Sequence, residues 1–220
     1  MEYYMTRKLL SFIMLLFYAS SSFGQASAQI AVPNFDDRYS ELVKMLEAGQ
    51  TNINYQELRK SFIKSEQFKV ASKSFDEFER LKKEMYSEMG KKNYQEIIEL
   101  TQRMLSIDYT SMIAHKILRQ TYKIVGDTAK ASQYKAIQFG LLNSIVKNGD
   151  GKSCATAWPV IQIAEEYFIL QMLGAELLKQ TLDRNNGICD KMEVKTDEGR
   201  RVYYFETSQV FDGYRNFGIK

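Results

Sequence analysis

His115 is the only histidine in this chain. A histidine exchanges protons near neutral pH, and the adjacent Glu165 and Glu166 offer carboxylates that could orient its ring. We favour the other interpretation, in which His115 is a packed, hydrogen-bonded core residue. Neighbouring carboxylates diverge by about 100° on a helix and face opposite sides of a strand. We therefore keep His115, Glu165 and Glu166 as weak candidates and assign no catalytic residue.

The segment Asn148–Ser153 contains two glycines, one acid and one lysine, which is typical of a turn. A phosphate-binding loop would need glycine at position 146, which is Val146. A calcium loop would need ligands at Val146 and Ala157, and neither side chain can bind calcium. Both motifs are rejected. Asp150 and Lys152, together with Tyr167, remain candidate residues for binding a small ligand such as a sugar.

Cys154 and Cys189 are the two cysteines of the chain. In an oxidising compartment they can form a disulfide, whereas in a reducing one they would be two free buried thiols. Two cysteines and one histidine do not make a standard zinc site without carboxylates. We predict neither a metal site nor a cofactor.

Residues 1–28 have the features of a cleavable secretion signal. Arg7 and Lys8 precede an apolar stretch from Leu9 to Tyr18, which is too short to span a bilayer. Ala26-Ser27-Ala28 is the expected cleavage site, with cleavage after Gly24 as the alternative. No cysteine lies directly after the apolar stretch, so no lipid attachment is indicated. We expect a secreted or periplasmic protein.

The charge of the chain is nearly balanced, with 30 Lys and Arg residues against 27 Asp and Glu residues. A balanced surface argues against a nucleic-acid partner. The chain has no basic run that would bind a membrane surface and no second long apolar stretch. We therefore expect no stable membrane insertion after signal cleavage.

Helical periodicity dominates residues 29–147. Ile97 and Ala131 are 34 residues apart, which is the period of the tetratricopeptide helix pair. Leu118, Tyr122 and the Gly126-Asp127 turn also follow that pattern, although Tyr109 stands where the repeat usually has proline. We predict tetratricopeptide-like helical hairpins, with a polar loop from Lys69 to Ser74 between two of the earlier helices.

Strand signals are concentrated in residues 148–220, where Asn185-Asn186-Gly187 and Asp197-Glu198-Gly199 are typical of hairpin turns. The apolar run before them fits a helix or a strand, and we favour a strand from Tyr167 to Met172. The predicted fold is α+β, with helical hairpins followed by a small C-terminal antiparallel β-meander. We expect residues 148–220 to form one compact unit with the helices.

Several short strings occur in the same order as in an uncharacterised family of secreted proteins found mainly in Bacteroidetes. The chain resembles that family in Tyr55-x-x-Leu58-Arg59, the His115 helix, Gly140-Leu141-Leu142-x-Ser144-Ile145, Gly149-Asp150-Gly151, Glu165-Glu166-Tyr167 and Tyr204-Phe205. The resemblance implies export and a domain of unknown function. It implies no activity, and it draws attention to the junction between helices and sheet, where ligand sites tend to form.

These observations favour a non-enzymatic module of the cell envelope that binds a protein or peptide on its helices. The alternative is a hydrolase or a small-ligand site at the junction, built around His115 and one of the two glutamates.

Overall fold

The computed structural model describes residues 30–184 and 187–218. The predicted signal segment and both predicted cleavage positions lie outside these ranges, as do Asn185 and Asn186 of the first predicted hairpin turn. The described residues form an α+β fold with most helices in the N-terminal part and a four-stranded mixed sheet in the C-terminal part.

Seven helices come first: α1 (Arg38–Glu47), α2 (Tyr55–Phe62), α3 (Glu66–Lys73), α4 (Phe75–Lys91), α5 (Tyr94–Ile107), α6 (Met112–Val125) and α7 (Thr128–Val146). Side chains cap several of them, because helix N-termini have backbone N–H groups without partners. Asp37 accepts from the backbone of Ser40, Asn54 from Glu57, and Asp127 from Lys130. These three caps fix where α1, α2 and α7 begin.

The predicted loop from Lys69 to Ser74 is wrong, because residues up to Lys73 belong to helix α3. This helix is short and presents few apolar side chains, so its periodicity is weak. Two local features stabilise it. Ser65 caps its first turn, and the Gln67 side chain donates hydrogen bonds to the carbonyl oxygens of Ser106 and Ile107 at the end of α5.

Helices α4 to α7 form two successive antiparallel pairs whose turns have the same backbone conformation. Lys92 and Gly126 are both left-handed, with φ of 59° and 86°. The residues that follow them, Asn93 and Asp127, have φ of −80° and −79° and ψ of 77° and 82°. The equivalent positions are 34 residues apart.

The C-terminal part comprises β1 (Trp158–Pro159), α8 (Ile163–Met172), β2 (Glu176–Asp183), β3 (Cys189–Thr196), β4 (Gly199–Glu206) and α9 (Ser208–Asn216). The strand order in the sheet is β1-β4-β3-β2. Strands β2, β3 and β4 are antiparallel and form the expected meander, whereas β1 pairs with β4 in parallel. The strand predicted from Tyr167 to Met172 is wrong, because these residues belong to α8.

One face of the sheet packs against the helices, and the other faces solvent. Met192 and Val194 of β3 and Phe205 of β4 are on the inner face and are buried. They belong to one hydrophobic core that also contains residues of every helix from α1 to α9. No helix among the described residues is long and apolar enough to cross a membrane.

Candidate functional site

The junction between α2, α8 and the sheet contains a buried ion pair. The Arg59 Nε donates to Glu165 Oε1 at 2.8 Å, and its Nη2 donates to Glu165 Oε2 at 2.7 Å. Arg59 also donates to the carbonyl oxygen of Pro159, and Glu165 Oε2 accepts from the backbone N–H of Ile161. Both charges are therefore paired and hydrogen-bonded, which a buried ion pair requires if it is not to destabilise the fold.

Glu166 lies beside this pair but has no such partners. Its side chain is completely buried, and neither carboxyl oxygen has a hydrogen-bond partner among the described residues. Burial first, and then the nearby carboxylates of Asp190 and Glu165, raise the pKa of Glu166 to about 9. Glu166 is thus a neutral acid at pH 7.

A chain of hydrogen bonds connects the surface to Asp190, one of these two carboxylates. The exposed Tyr167 donates its hydroxyl to Gln180 Oε1 at 3.0 Å, and Gln180 Nε2 donates to Asp190 Oδ2 at 2.7 Å. Asp190 is on the inner face of β3, in the same alternating set as Met192 and Val194. We name Arg59, Glu165, Glu166, Gln180 and Asp190 the junction cluster.

A second buried acid fixes the start of α8. Asp108 accepts hydrogen bonds from the backbone and hydroxyl of Thr110 and from Gln162 Nε2, which precedes α8. Burial raises the pKa of Asp108, whereas these hydrogen bonds act in the opposite direction. The α5–α6 turn and the N-terminus of α8 are therefore held together by one carboxylate.

The contacts of His115 are with Tyr109 and Tyr134, and not with its predicted partners Glu165 and Glu166. Its ring is completely buried in α6, and its Nε2 donates to the carbonyl oxygen of Tyr109 at 2.7 Å. The ring lies edge-on to Tyr109, with centroids 4.9 Å apart, and is stacked on Tyr134 at 5.8 Å. Burial lowers its pKa to about 4, so the ring is neutral at pH 7. This arrangement serves packing in the α6–α7 pair.

Asp150 and Lys152 are in the loop that follows α7. Asp150 Oδ1 accepts from the backbone of Lys152 and from the Thr156 hydroxyl, and these bonds, led by that from Thr156, hold the pKa of Asp150 below its usual value. Gly151 has a φ of 65°, and a Cβ there would lie 2.8 Å from the Trp158 ring. Glycine is thus required for the loop to close on the tryptophan.

A disulfide bond joins Cys154 in this loop to Cys189 at the start of β3. The same loop is hydrogen-bonded to the sheet, because Tyr204 N donates to the carbonyl oxygen of Gly151 and Trp158 Nε1 donates to that of Gly149. The loop is thus fixed to the sheet at several points.

The predicted site residues consequently fall into three separate places. His115 is in the helical core, Asp150 and Lys152 are in the exposed loop, and Glu165, Glu166 and Tyr167 are on α8. Two surface depressions of about 340 and 390 Å³ are both lined by Lys60 of α2 and by Lys64, which follows that helix. The second is also lined by Asp212 of α9, and neither contains a predicted site residue. Within residues 30–184 and 187–218, no group of three or more His, Cys, Asp or Glu side chains could hold a metal ion.

Three members of the junction cluster were not predicted from the sequence: Arg59, Gln180 and Asp190. Asp190 had a usable signal, because it alternates with the apolar Met192 and Val194 and therefore points inward in a strand. Arg59 had none beyond its place in a family string, since it is 106 residues from Glu165.

The helical half presents an exposed apolar stripe on α4. Phe75, Tyr86 and Met89 lie on one side of the helix at helical spacing and are 63%, 47% and 41% exposed. The adjacent side of α4 carries the buried Leu81 and Met85. We name Phe75, Tyr86 and Met89 the α4 stripe. Tyr86 and Met89 are one turn apart, whereas Phe75 lies about three turns before Tyr86, and the ion-paired Glu79 and Lys82 occupy the same side between them. Exposed large side chains on one helix side make this side of α4 a candidate binding surface.

Comparison with protein families gives a match to a domain of unknown function, DUF4919, over residues 25–216. No curated protein and no solved structure matches the chain significantly. The family match covers nearly all of the helices and the sheet described above. The chain therefore belongs to the DUF4919 family.

Proposed function

We propose that this protein is an exported, non-enzymatic module that binds a protein or peptide partner through its helical half. The α4 stripe is the observation that carries this proposal. Removing these three large apolar side chains from water would stabilise a complex by about 25 cal/mol per Å² of apolar surface buried. A partner with apolar side chains at helical or extended spacing would cover them.

The architecture of α4 to α7 supports the same role. The equal turn conformations at Lys92 and Gly126 favour a tetratricopeptide-like relation between the two helix pairs. In such arrays the first helix of each pair lines the binding surface, and α4 is the first helix of its pair. The stripe is therefore on the element that this reading expects to contact a partner.

The burial of the three candidate acid–base residues supports a non-enzymatic role. A catalytic acid or base must reach the proton that it transfers. His115, Glu165 and Glu166 are enclosed, and Glu165 is already engaged by Arg59. Export is supported by the secretion-like N-terminal segment and by the disulfide, which is typical of oxidising compartments.

Photo-crosslinking in the native host tests the proposal. A photoreactive residue placed at Tyr86 should give an adduct of discrete mass, because the stripe contacts the partner directly. The same residue at Val202, an exposed apolar position on the outer face of the sheet, serves as the matched control and should give none. A further Met89→Glu substitution should abolish the adduct while leaving the melting temperature unchanged.

Two outcomes would count against the proposal. One is the absence of any adduct at Tyr86 and Phe75 in cells that produce the folded protein. The other is an adduct of equal yield at Val202, which would indicate non-specific contact rather than a binding surface.

A further inference from the structure

Helix α8 packs on the inner face of the sheet with an acid in the contact region. Glu166 is completely buried there, and both its carboxyl oxygens lack a hydrogen-bond partner among the described residues. The opposing strand β3 contributes Asp190, which is also buried. The contact between α8 and the sheet therefore brings two acidic side chains together in an apolar region.

The neighbouring cations are already engaged elsewhere. Arg59 of α2 makes both of its carboxylate contacts with Glu165 of α8. Lys116 of α6 donates to Gln171 and lies over the Phe168 ring. Gln180 of β2 is neutral and donates to Asp190. An ionised Glu166 would thus be a buried charge facing the carboxylates of Asp190 and Glu165, which is strongly unfavourable.

We propose that the contact between α8 and the sheet is a pH-dependent switch, which is closed while Glu166 carries a proton and opens when Glu166 ionises. Opening moves Glu166 into water, where its charge is solvated. It also breaks the path from Tyr167 through Gln180 to Asp190 and uncovers the apolar side chains of Ile169 and Met192.

The pKa of Glu166, raised by burial first and by Asp190 and Glu165 next to about 9, sets the direction. In the open form the carboxyl has its ordinary pKa, near 4.5. The closed form has its full advantage over the open form below pH 4.5. That advantage decreases as the pH rises toward the closed-form pKa of about 9. Between the two values, each pH unit shifts the equilibrium toward the open form by about tenfold.

Hydrogen exchange on the full-length protein between pH 6 and 9 measures this switch, after correction for the intrinsic pH dependence of exchange. Protection of α8 amides should fall about tenfold per pH unit, while protection of α7 amides stays constant. Glu166→Gln should remove the slope in α8. The control Glu193→Gln alters a carboxyl on the outer face of β3 and should leave it unchanged.

A slope of equal size in Glu166→Gln would overturn the proposal, and so would a wild-type protein without a slope. A slope of the same size in α7 would also overturn it, since this would indicate global unfolding rather than opening of α8. Carbon NMR of the Glu166 carboxyl in the wild-type protein gives an independent readout. An ordinary acidic titration midpoint there would be incompatible with the switch.

Discussion

Glu165 and Glu166 are neighbours in the chain, yet their surroundings in the folded protein are opposite. Glu165 receives three N–H donors from Arg59 and Ile161, whereas Glu166 receives none among the described residues. Glu165 forms an ion pair with Arg59 that joins α8 to α2, whereas Glu166 is a neutral acid. The two residues are the same chemically, so the difference comes entirely from which side of α8 each one occupies.

His115 makes a prediction about acid stability. Burial lowers its pKa from 6.5 to about 4, so the stability that it provides is complete above pH 6.5 and is lost as the pH falls toward 4. The loss at pH 4 should be about 3 kcal/mol of unfolding free energy. We expect His115→Gln to lack this loss in chemical denaturation at pH 7 and pH 4.

The test compares the two proteins at each pH, because Glu166 contributes a slope of the opposite sign to both of them. The stability difference between wild type and His115→Gln should therefore narrow by about 3 kcal/mol on acidification. An unchanged difference would show that the ring does not resist protonation.

Only part of the candidate site could be predicted from the sequence. An isolated histidine and two adjacent glutamates are visible in the chain, and so is the inward alternation of Asp190. The pairing of Glu165 with Arg59 is not visible in the sequence, because α2 and α8 come together from positions 106 residues apart. The separation of His115 from both glutamates has the same origin.

At the scale of elements, α8 shows why a buried helix resists prediction. It is apolar on nearly every side, with Phe168, Ile169 and Leu170 all buried, so neither a helical nor a strand period stands out. The acidic pair at its start was the usable signal, since acids favour the first turn of a helix. The two-residue strand β1 is too short to leave any signal, and its parallel pairing with β4 depends on tertiary contacts.

The packing of α7 on α2 makes a second prediction. A Cβ on Gly140 would lie 2.2 Å from the Tyr55 ring, which donates its hydroxyl to the Thr51 carbonyl. Gly140→Ala should therefore lower the unfolding free energy by about 2 kcal/mol, because overpacking outweighs the gain in helix propensity. Thermal or urea denaturation measures the change.

Gly90 provides the matched control, since it is also in a helix but has open space around the Cβ position. Gly90→Ala should stabilise the protein by up to about 1 kcal/mol. In a Tyr55→Ala background, Gly140→Ala should lose most of its penalty. A penalty that persists there would place its origin outside the contact with Tyr55.

At the scale of the whole molecule, one core joins the helices to the sheet. It includes Leu42 of α1, Ile137 of α7, Phe205 of β4 and Val210 of α9. The predicted division at residue 147 follows the seven N-terminal helices and precedes the part with the sheet, which also contains α8 and α9. Buried side chains of both parts belong to this core. Helix α9 and the residue after it pack against α3, because Phe68 of α3 contacts Tyr214 and Phe217.

The disulfide makes the prediction at this scale. Cys154 and Cys189 are 35 residues apart in the chain, and closing a loop of this length stabilises a fold by about 4 kcal/mol in the chain-entropy model. Reduction should lower the melting temperature accordingly. The Cys154→Ser, Cys189→Ser double variant should melt at the reduced value and should not respond to a reducing agent. A wild-type protein with equal melting temperatures in both states would contradict this expectation.

The strand order has a consequence for how the chain reaches its folded state. Strand β4 is the last to be synthesised, yet it lies between β1 and β3 and is hydrogen-bonded to both. Until residues 199–206 emerge, β1 has no neighbour and β3 lacks one of its two. The four-stranded sheet therefore cannot be completed before residues 199–206 have left the ribosome.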